Sequence, residues 1–202
     1  MRLLTLAAAA LLSTAALSAQ EARTSFGIGT TINSGFLLVP TEGDIVQTQA
    51  GFNNILLPLR GTNFTVEPEL GLFRMTMTSE SGAFSSSQTV SANRLGLGLL
   101  KHFEKRENLE PYLAPRVGAV FMSFENKPSS GTTFKSKQTN LYLTGGAGAQ
   151  YFFSGHFTLG GEAQLTYTHF GNPTSSGGGT TSTKLSGSTI SSVGILTIRW
   201  YF

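Results

Sequence analysis

Three histidines and a scatter of lone charges are what this sequence offers for chemistry. His102 falls near a short turn, His156 within one, and His169 where a Ser-, Gly- and Thr-rich stretch begins. An imidazole that acts as a base needs a nucleophile beside it and a carboxylate to orient it. No carboxylate follows Glu162, so His169 would have to borrow one from elsewhere. The chain has no cysteine, which excludes disulfides and thiolate ligands or nucleophiles. No ligand spacing suggests a metal, and Gly177-Gly178-Gly179 does not lead from a strand into a helix as a phosphate cradle would. The expectation is therefore no catalytic residue, no cofactor and no metal. The charges Arg60, Glu67, Glu69, Arg94, Arg116, Glu162 and Arg199 are of more interest. Each sits at an alternate position opposite apolar neighbours, and four arginines against three glutamates nearly cancel.

The elements that would hold those charges repeat with a period of two, and helical periodicity is absent. The last segment shows it best. Gly194, Leu196, Ile198, Trp200 and Phe202 share one face, and Ile195, Thr197, Arg199 and Tyr201 the other. Seven more segments behave alike. Their apolar faces run through Phe26–Ile32, Ile55–Leu59, Phe64–Leu72, Leu95–Phe103, Leu113–Phe121, Leu141–Tyr151 and Phe157–Tyr167. The opposite faces hold glycine, threonine and the seven charges. Eight alternating strands predict an all-β fold, a closed eight-stranded antiparallel up-and-down transmembrane β-barrel.

Alternation alone also fits a soluble barrel, and two features separate the readings. Connections at 61–63, 104–108 and 153–155 are short, whereas those near 79–93, 125–138 and 169–188 are long and rich in Ser, Gly and Thr. Short turns on one side and long loops on the other are the outer-membrane pattern, with both mature termini in the periplasm. At that same end six strands carry an aromatic on the apolar face: Phe26, Phe64, Phe103, Tyr151, Phe157, and Trp200 with Phe202. This reads as an interfacial girdle. Charged residues make up only 12% of the chain, about half the share usual in soluble domains. A soluble lipocalin-like barrel would in addition show a Gly-x-Trp near the mature start, and the single tryptophan is Trp200.

Residues 1–19 read as a secretory signal peptide: Arg2, an Ala/Leu-rich stretch from Leu3 to Leu17, then Leu17-Ser18-Ala19 before Gln20. Residues 20–202 form the outer-membrane β-barrel domain. Losing Arg2 takes the net charge from +3 to +2, too little to suggest nucleic-acid binding.

Three finer expectations follow. An eight-stranded barrel is just wide enough for side chains to fill it, so the inward charges predict an internal ion-pair network rather than a conduit. Pro68 and Pro115 lack an amide donor and predict bulges. The first hairpin, with arms Thr30–Val39 and Ile45–Arg60 around Pro40-Thr41-Glu42-Gly43-Asp44, outreaches the membrane. Its Phe36–Val39 arm would pack on neighbouring loops or offer an edge to a partner strand.

With these residues in view, the chain resembles the small outer-membrane β-barrel proteins of the OmpA membrane-domain and OmpX type over its whole mature length. The likeness rests on the eight-strand plan, on segments such as Gly145-Gly146-Ala147-Gly148-Ala149-Gln150-Tyr151-Phe152, and on the terminal Ile198-Arg199-Trp200-Tyr201-Phe202. It implies insertion by the barrel-assembly machinery, which reads a final aromatic such as Phe202, and contact with outer-membrane lipids and lipopolysaccharide. The stretch Thr168-His169-Phe170-Gly171-Asn172 is also similar to the His segment of barrel-type lipid A deacylases, but Gly171 stands where they carry the serine nucleophile. One fold hosts many roles. The expected function is non-enzymatic, a rigid barrel displaying surface loops for envelope integrity or attachment. The alternatives are a narrow channel for small apolar solutes, prompted by the inward glycines, and a lipid-modifying enzyme.

Overall fold

The computed structural model describes residues 25–33, 36–41, 44–49, 53–81, 84–177 and 187–202. The segment read as a signal peptide lies outside the described residues. Eight staves close the barrel. In chain order they are β1 (Ser25–Asn33), the broken stave β4 (Asn54–Leu56) with β5 (Leu59–Arg60), β6 (Phe64–Ser81), β7 (Phe84–His102), β8 (Leu109–Pro128), β9 (Phe134–Phe152), β10 (Phe157–Phe170) and β12 (Gly187–Tyr201). Each pairs antiparallel with the next, and β12 returns to β1 with Gly27 facing Tyr201, so the sheet has no end. Two further pieces stand apart from the staves. The hairpin β2 (Phe36–Thr41) and β3 (Asp44–Gln49) is a sheet of its own, and β11 (Thr174–Ser176) extends the β9 ladder.

Polarity is inverted relative to a soluble protein. Thr65, Glu67, Glu69, Arg116, Thr197 and Arg199 are buried inside, whereas Leu72, Leu143, Leu165 and Leu196 stand on the outer surface. A soluble barrel would collapse with the opposite assignment, because apolar burial drives it. The apolar surface is instead a continuous belt of the kind hydrocarbon requires. At the terminus end the belt finishes in aromatics that touch one another. Phe26 stacks on Phe202 (6.2 Å between centroids), Phe157 meets Trp200 at 6.0 Å, and Phe153 bridges Tyr151 and Phe157 at 5.0 and 5.7 Å.

The expected bulges at Pro68 and Pro115 are absent. Glu69 faces Leu56 and Val66 faces Leu59 in one register across Pro68. Leu57 N–H still donates to the Pro68 carbonyl (3.0 Å), so only the return bond is lost. Pro58 behaves likewise against Gly27 (2.9 Å), which is why the stave breaks into β4 and β5. Across Pro115 the β7–β8 register is also unchanged, from Gly98 facing Arg116 to Lys101 facing Leu113. A proline thus costs the ladder one bond without inserting a residue. The extra residue lies elsewhere. Gly171-Asn172-Pro173 opposes only Gln138 and Thr139 between the β10–β9 and β11–β9 ladders, a bulge at a proline.

The long loops are also shorter than expected. Much of 79–93 and 125–138 is strand, with pairs running to Ser81–Phe84 and to Asn126–Phe134. Strands β6 to β9 have 18 to 20 residues, about twice the 9–11 needed to span. They project as paired hairpins far past the apolar belt.

Candidate functional site

Two parts of this barrel have the build of functional sites: the lumen and the projecting hairpins. The alternation of each stave sends its odd or even residues inward, and all seven charges expected inside lie there. Arg116 is the hub. Its Nη1 donates to Glu67 (2.9 Å) and to Glu69, and its Nε and Nη2 grip Glu162 with two bonds (3.1 and 2.8 Å). Arg199 donates to the other side of Glu67 through Nε (2.6 Å) and Nη2 (3.1 Å), and to Thr197 through Nη1 (3.0 Å). Arg94 reaches Glu69 (3.4 Å), donates to the Tyr142 hydroxyl (3.0 Å) and lies over that ring at 4.1 Å. Three arginines and three glutamates from β6, β7, β8, β10 and β12 therefore neutralise one another in a single layer. Arg116 and Arg199 are 2% and 0% exposed, a degree of burial that charges tolerate only when paired.

The inward glycines make room for this layer and do not leave it hollow. The Tyr142 hydroxyl occupies the space where a Cβ on Gly96 or Gly118 would stand, and the Glu162 carboxylate that of Gly146. The cavity that the glycines suggested is filled by side chains from the opposite staves.

A second cluster sits nearer the termini. Glu110 accepts from Arg60 (2.7 Å) and Gln150 (2.6 Å), and His102 Nδ1 lies 3.2 Å from it. The other ring nitrogen of His102 is 2.7 Å from Thr65 Oγ1. Arg60 rests above the rings of Phe152 and Tyr201. Sequence reading placed His102 near the short turn but missed Glu110. That residue precedes Pro111 at the mouth of β8, where the alternating pattern has barely begun. Its parity with Tyr112 and Arg116 was the available signal.

Among the described residues the remaining histidines make other contacts. His156 holds the Tyr201 carbonyl (Nδ1 to O, 2.9 Å) and stacks on Trp200. His169 is exposed on the outward parity of β10, two residues beyond Tyr167, while Gly171 enters the bulge.

The projecting hairpins carry small hydroxyl residues outward, together with an exposed ion-paired group. Glu125 bonds Lys127 and Lys135, both at 3.2 Å. The Lys135 ammonium, then that of Lys127, holds the Glu125 carboxyl below the usual carboxylate range. Inside their base lies an apolar sector made by Val90, Ala92, Met122 and Phe124 with Phe73, Val120 and Phe134.

The family described as outer membrane protein beta-barrel domain matches residues 4–191. No curated protein matches the sequence. Among solved structures the chain is similar to Neisserial surface protein A (12% identity, 89% of this chain and 94% of that one, TM-score 0.49). It is also similar to Ail, the attachment invasion locus protein of Yersinia pestis (13%, 89% and 97%, TM-score 0.47). A third is CarO2 of Acinetobacter baumannii (8%, 91% and 100%, TM-score 0.45).

Proposed function

The chain belongs to the outer membrane protein beta-barrel family, and from that premise we propose that it is a non-enzymatic barrel whose task is display. A rigid membrane cylinder holds long hairpins away from the bilayer, for envelope integrity or attachment. The observation that carries this reading is that the β6–β7 and β8–β9 ladders continue unbroken from the belt into the projecting region. A hairpin anchored this way is held in position by the barrel rather than tethered by a loop. The ion-pair layer supports the same reading, because it fills the section through which a channel would have to run.

In this reading the termini, the short turns and the aromatic girdle face the periplasm, and the hairpins face outward. Residues 1–19 direct export, the strand ending in Phe202 is recognised by the assembly machinery, and the belt meets lipid and lipopolysaccharide. The near-balance of charge makes nucleic acid an unsuitable partner. A lipid-modifying role would need His169 beside a nucleophile, and the bulge places Gly171 there.

Fractionation with protease treatment of intact cells tests the proposal. Cleavage should occur at 129–133 between β8 and β9, leaving the turns at 104–108 and 153–156 untouched. Cuts at those short turns in intact cells would reverse the orientation. Large ion-conducting openings in planar bilayers would end the closed-lumen account.

A further inference from the structure

The outer surface turns from apolar to cationic over two rows of the ladder. On β6 to β9 the outward residues face one another across the pairings, so each row can be followed from strand to strand. Leu70, Leu95, Ala119 and Leu141 form one row, and all are apolar. Leu72, Asn93, Phe121 and Thr139 form the next, half of it polar. Arg74, Ser91, Ser123 and Lys137 follow, with no apolar side chain left. Beyond them come Thr76, Thr89, Glu125 and Lys135, and then Lys127 facing Ser87.

Cations outnumber acids on this face. Glu125 is shared by Lys127 and Lys135, each 3.2 Å away. Arg74 and Lys137 are exposed and have no ion-pair partner among the described residues. Four cations against one carboxylate leave three positive charges uncompensated on one side of the barrel. Glu80, the next outward acid, lies six residues beyond Arg74, about 20 Å along the strand. At the same height the described residues of β10 and β12 present Tyr167, His169 and Ile190 and no lysine or arginine. Gathered cations repel one another unless an anion comes between them. The hydroxyls of Thr89, Ser91 and Ser123 stand among them as further donors.

Height narrows the choice of anion. A tilted stave climbs about 2.5 Å per residue, so an apolar band about 25 Å tall takes roughly ten residues. Arg74 is ten residues from the girdle residue Phe64, and Lys137 and Lys135 are fourteen and sixteen from Tyr151. Arg74 therefore stands at the far edge of the band, and the two lysines about 10–15 Å beyond it. The headgroup layer of a phospholipid is only about 5–8 Å deep. A ligand that meets all of these cations carries anionic groups over a greater height, as a phosphorylated saccharide does.

We propose that Arg74, Lys137, Lys135 and Lys127 form a binding site for the phosphorylated saccharide headgroup of a glycolipid in the leaflet around the hairpins. Its acyl chains lie against the outward Leu72, Leu95 and Leu141, and its anionic groups climb the cationic face of β6 to β9. Glu125 weakens the site, because it holds two of the four cations. This deepens the display reading and takes its outer-leaflet location from it; the site itself does not depend on which way the barrel points.

Full-length protein in neutral detergent micelles is titrated with purified bacterial lipopolysaccharide in the presence of EDTA, and binding is followed by thermophoresis. Arg74→Gln combined with Lys137→Gln removes the two unpaired cations and should weaken binding about twentyfold, near fivefold for each. Glu125→Gln frees Lys127 and Lys135 and should tighten it about fivefold, a gain that a purely structural carboxylate would not give. Lys101→Gln, at the opposite end where the ammonium lies over Phe64, should leave affinity unchanged. Dephosphorylated lipopolysaccharide and phosphatidylglycerol should each bind at least about tenfold more weakly. Equal affinity for either of them, indifference to the double variant, or failure of Glu125→Gln to tighten binding overturns the proposal. Heat-modifiable gel migration reports whether each variant is folded, and the three lipids on wild type decide the matter alone if one is not. Binding in micelles is the same whichever way the barrel points, so a reversed orientation in the protease experiment leaves this test intact.

Discussion

The spanning half of this barrel and its projecting half are built from the same four long strands, β6 to β9, yet they are stabilised differently. In the spanning half near the girdle the staves are paired on both sides, so backbone groups there are satisfied laterally. The side chains inside are then free to hold a charge network in a volume without bulk water. In the projecting half the ladder thins, edges open, and hydroxyl residues meet solvent on the outside. An ion pair in the first region is surrounded by low-dielectric protein. One in the second, Glu125 with Lys127 and Lys135, is screened by water and salt. Strand continuity therefore does not imply energetic continuity.

That contrast can be broken most severely at Arg116. Replacing it with methionine leaves Glu67, Glu69 and Glu162 facing one another with a cation short. Stability should fall by about 3–5 kcal/mol, the usual cost of orphaning a buried partner. Urea unfolding of the barrel refolded into micelles measures this. A loss below about 1 kcal/mol would mean that the layer is hydrated like a surface pair. The outside of the same region offers the next largest effect. Leu196→Arg puts a charge four residues from Trp200, well inside the apolar belt, and should cost about 2–4 kcal/mol in lipid vesicles. Ser85→Arg on the projection should fall within about 0.5 kcal/mol of wild type. Equal costs at the two positions would erase the boundary between the halves. The smallest effect belongs to Glu125. Its carboxyl is held low when folded, so its contribution is complete above the usual carboxylate range and fades as pH falls through the lowered value. Amide exchange at Thr89 and Lys135, the residues that face it, should quicken at that acid end in wild type and lose this dependence in Glu125→Gln. High salt should mute it in wild type.

Much of the spanning half was legible from residue order because a strand's parity is strict. Once Arg199 faced away from Trp200, its inward position followed, and the same held for Glu67, Arg116 and Glu162. Partners were not legible. That Arg116 meets Glu162 depends on which staves face each other across the lumen, and that is a property of closure. Glycines at 96, 118 and 146 looked like empty space because the side chains that fill it come from other strands. The projections read as loops for a simple reason. Ser85-Ser86-Ser87-Gln88-Thr89 has no apolar face, so alternation carries no signal there although the ladder continues. Prolines misled in the opposite direction, since a missing donor removes one bond and need not shift a register.

The pairing of β1 with β12 has a consequence for how the molecule comes into being. Gly27 and Tyr201 meet in a ladder although 174 positions separate them in sequence. Such contacts carry a heavy entropic cost in chain closure and slow a folding reaction. The inner layer adds to the delay, since Arg199 on the last stave supplies the second cation for Glu67. Until that strand arrives, Glu67 lacks one of its two partners and the sheet still has two open edges. Assembly is therefore expected to remain incomplete through seven staves and to finish at the eighth, with seam and ionic layer completed in a single event.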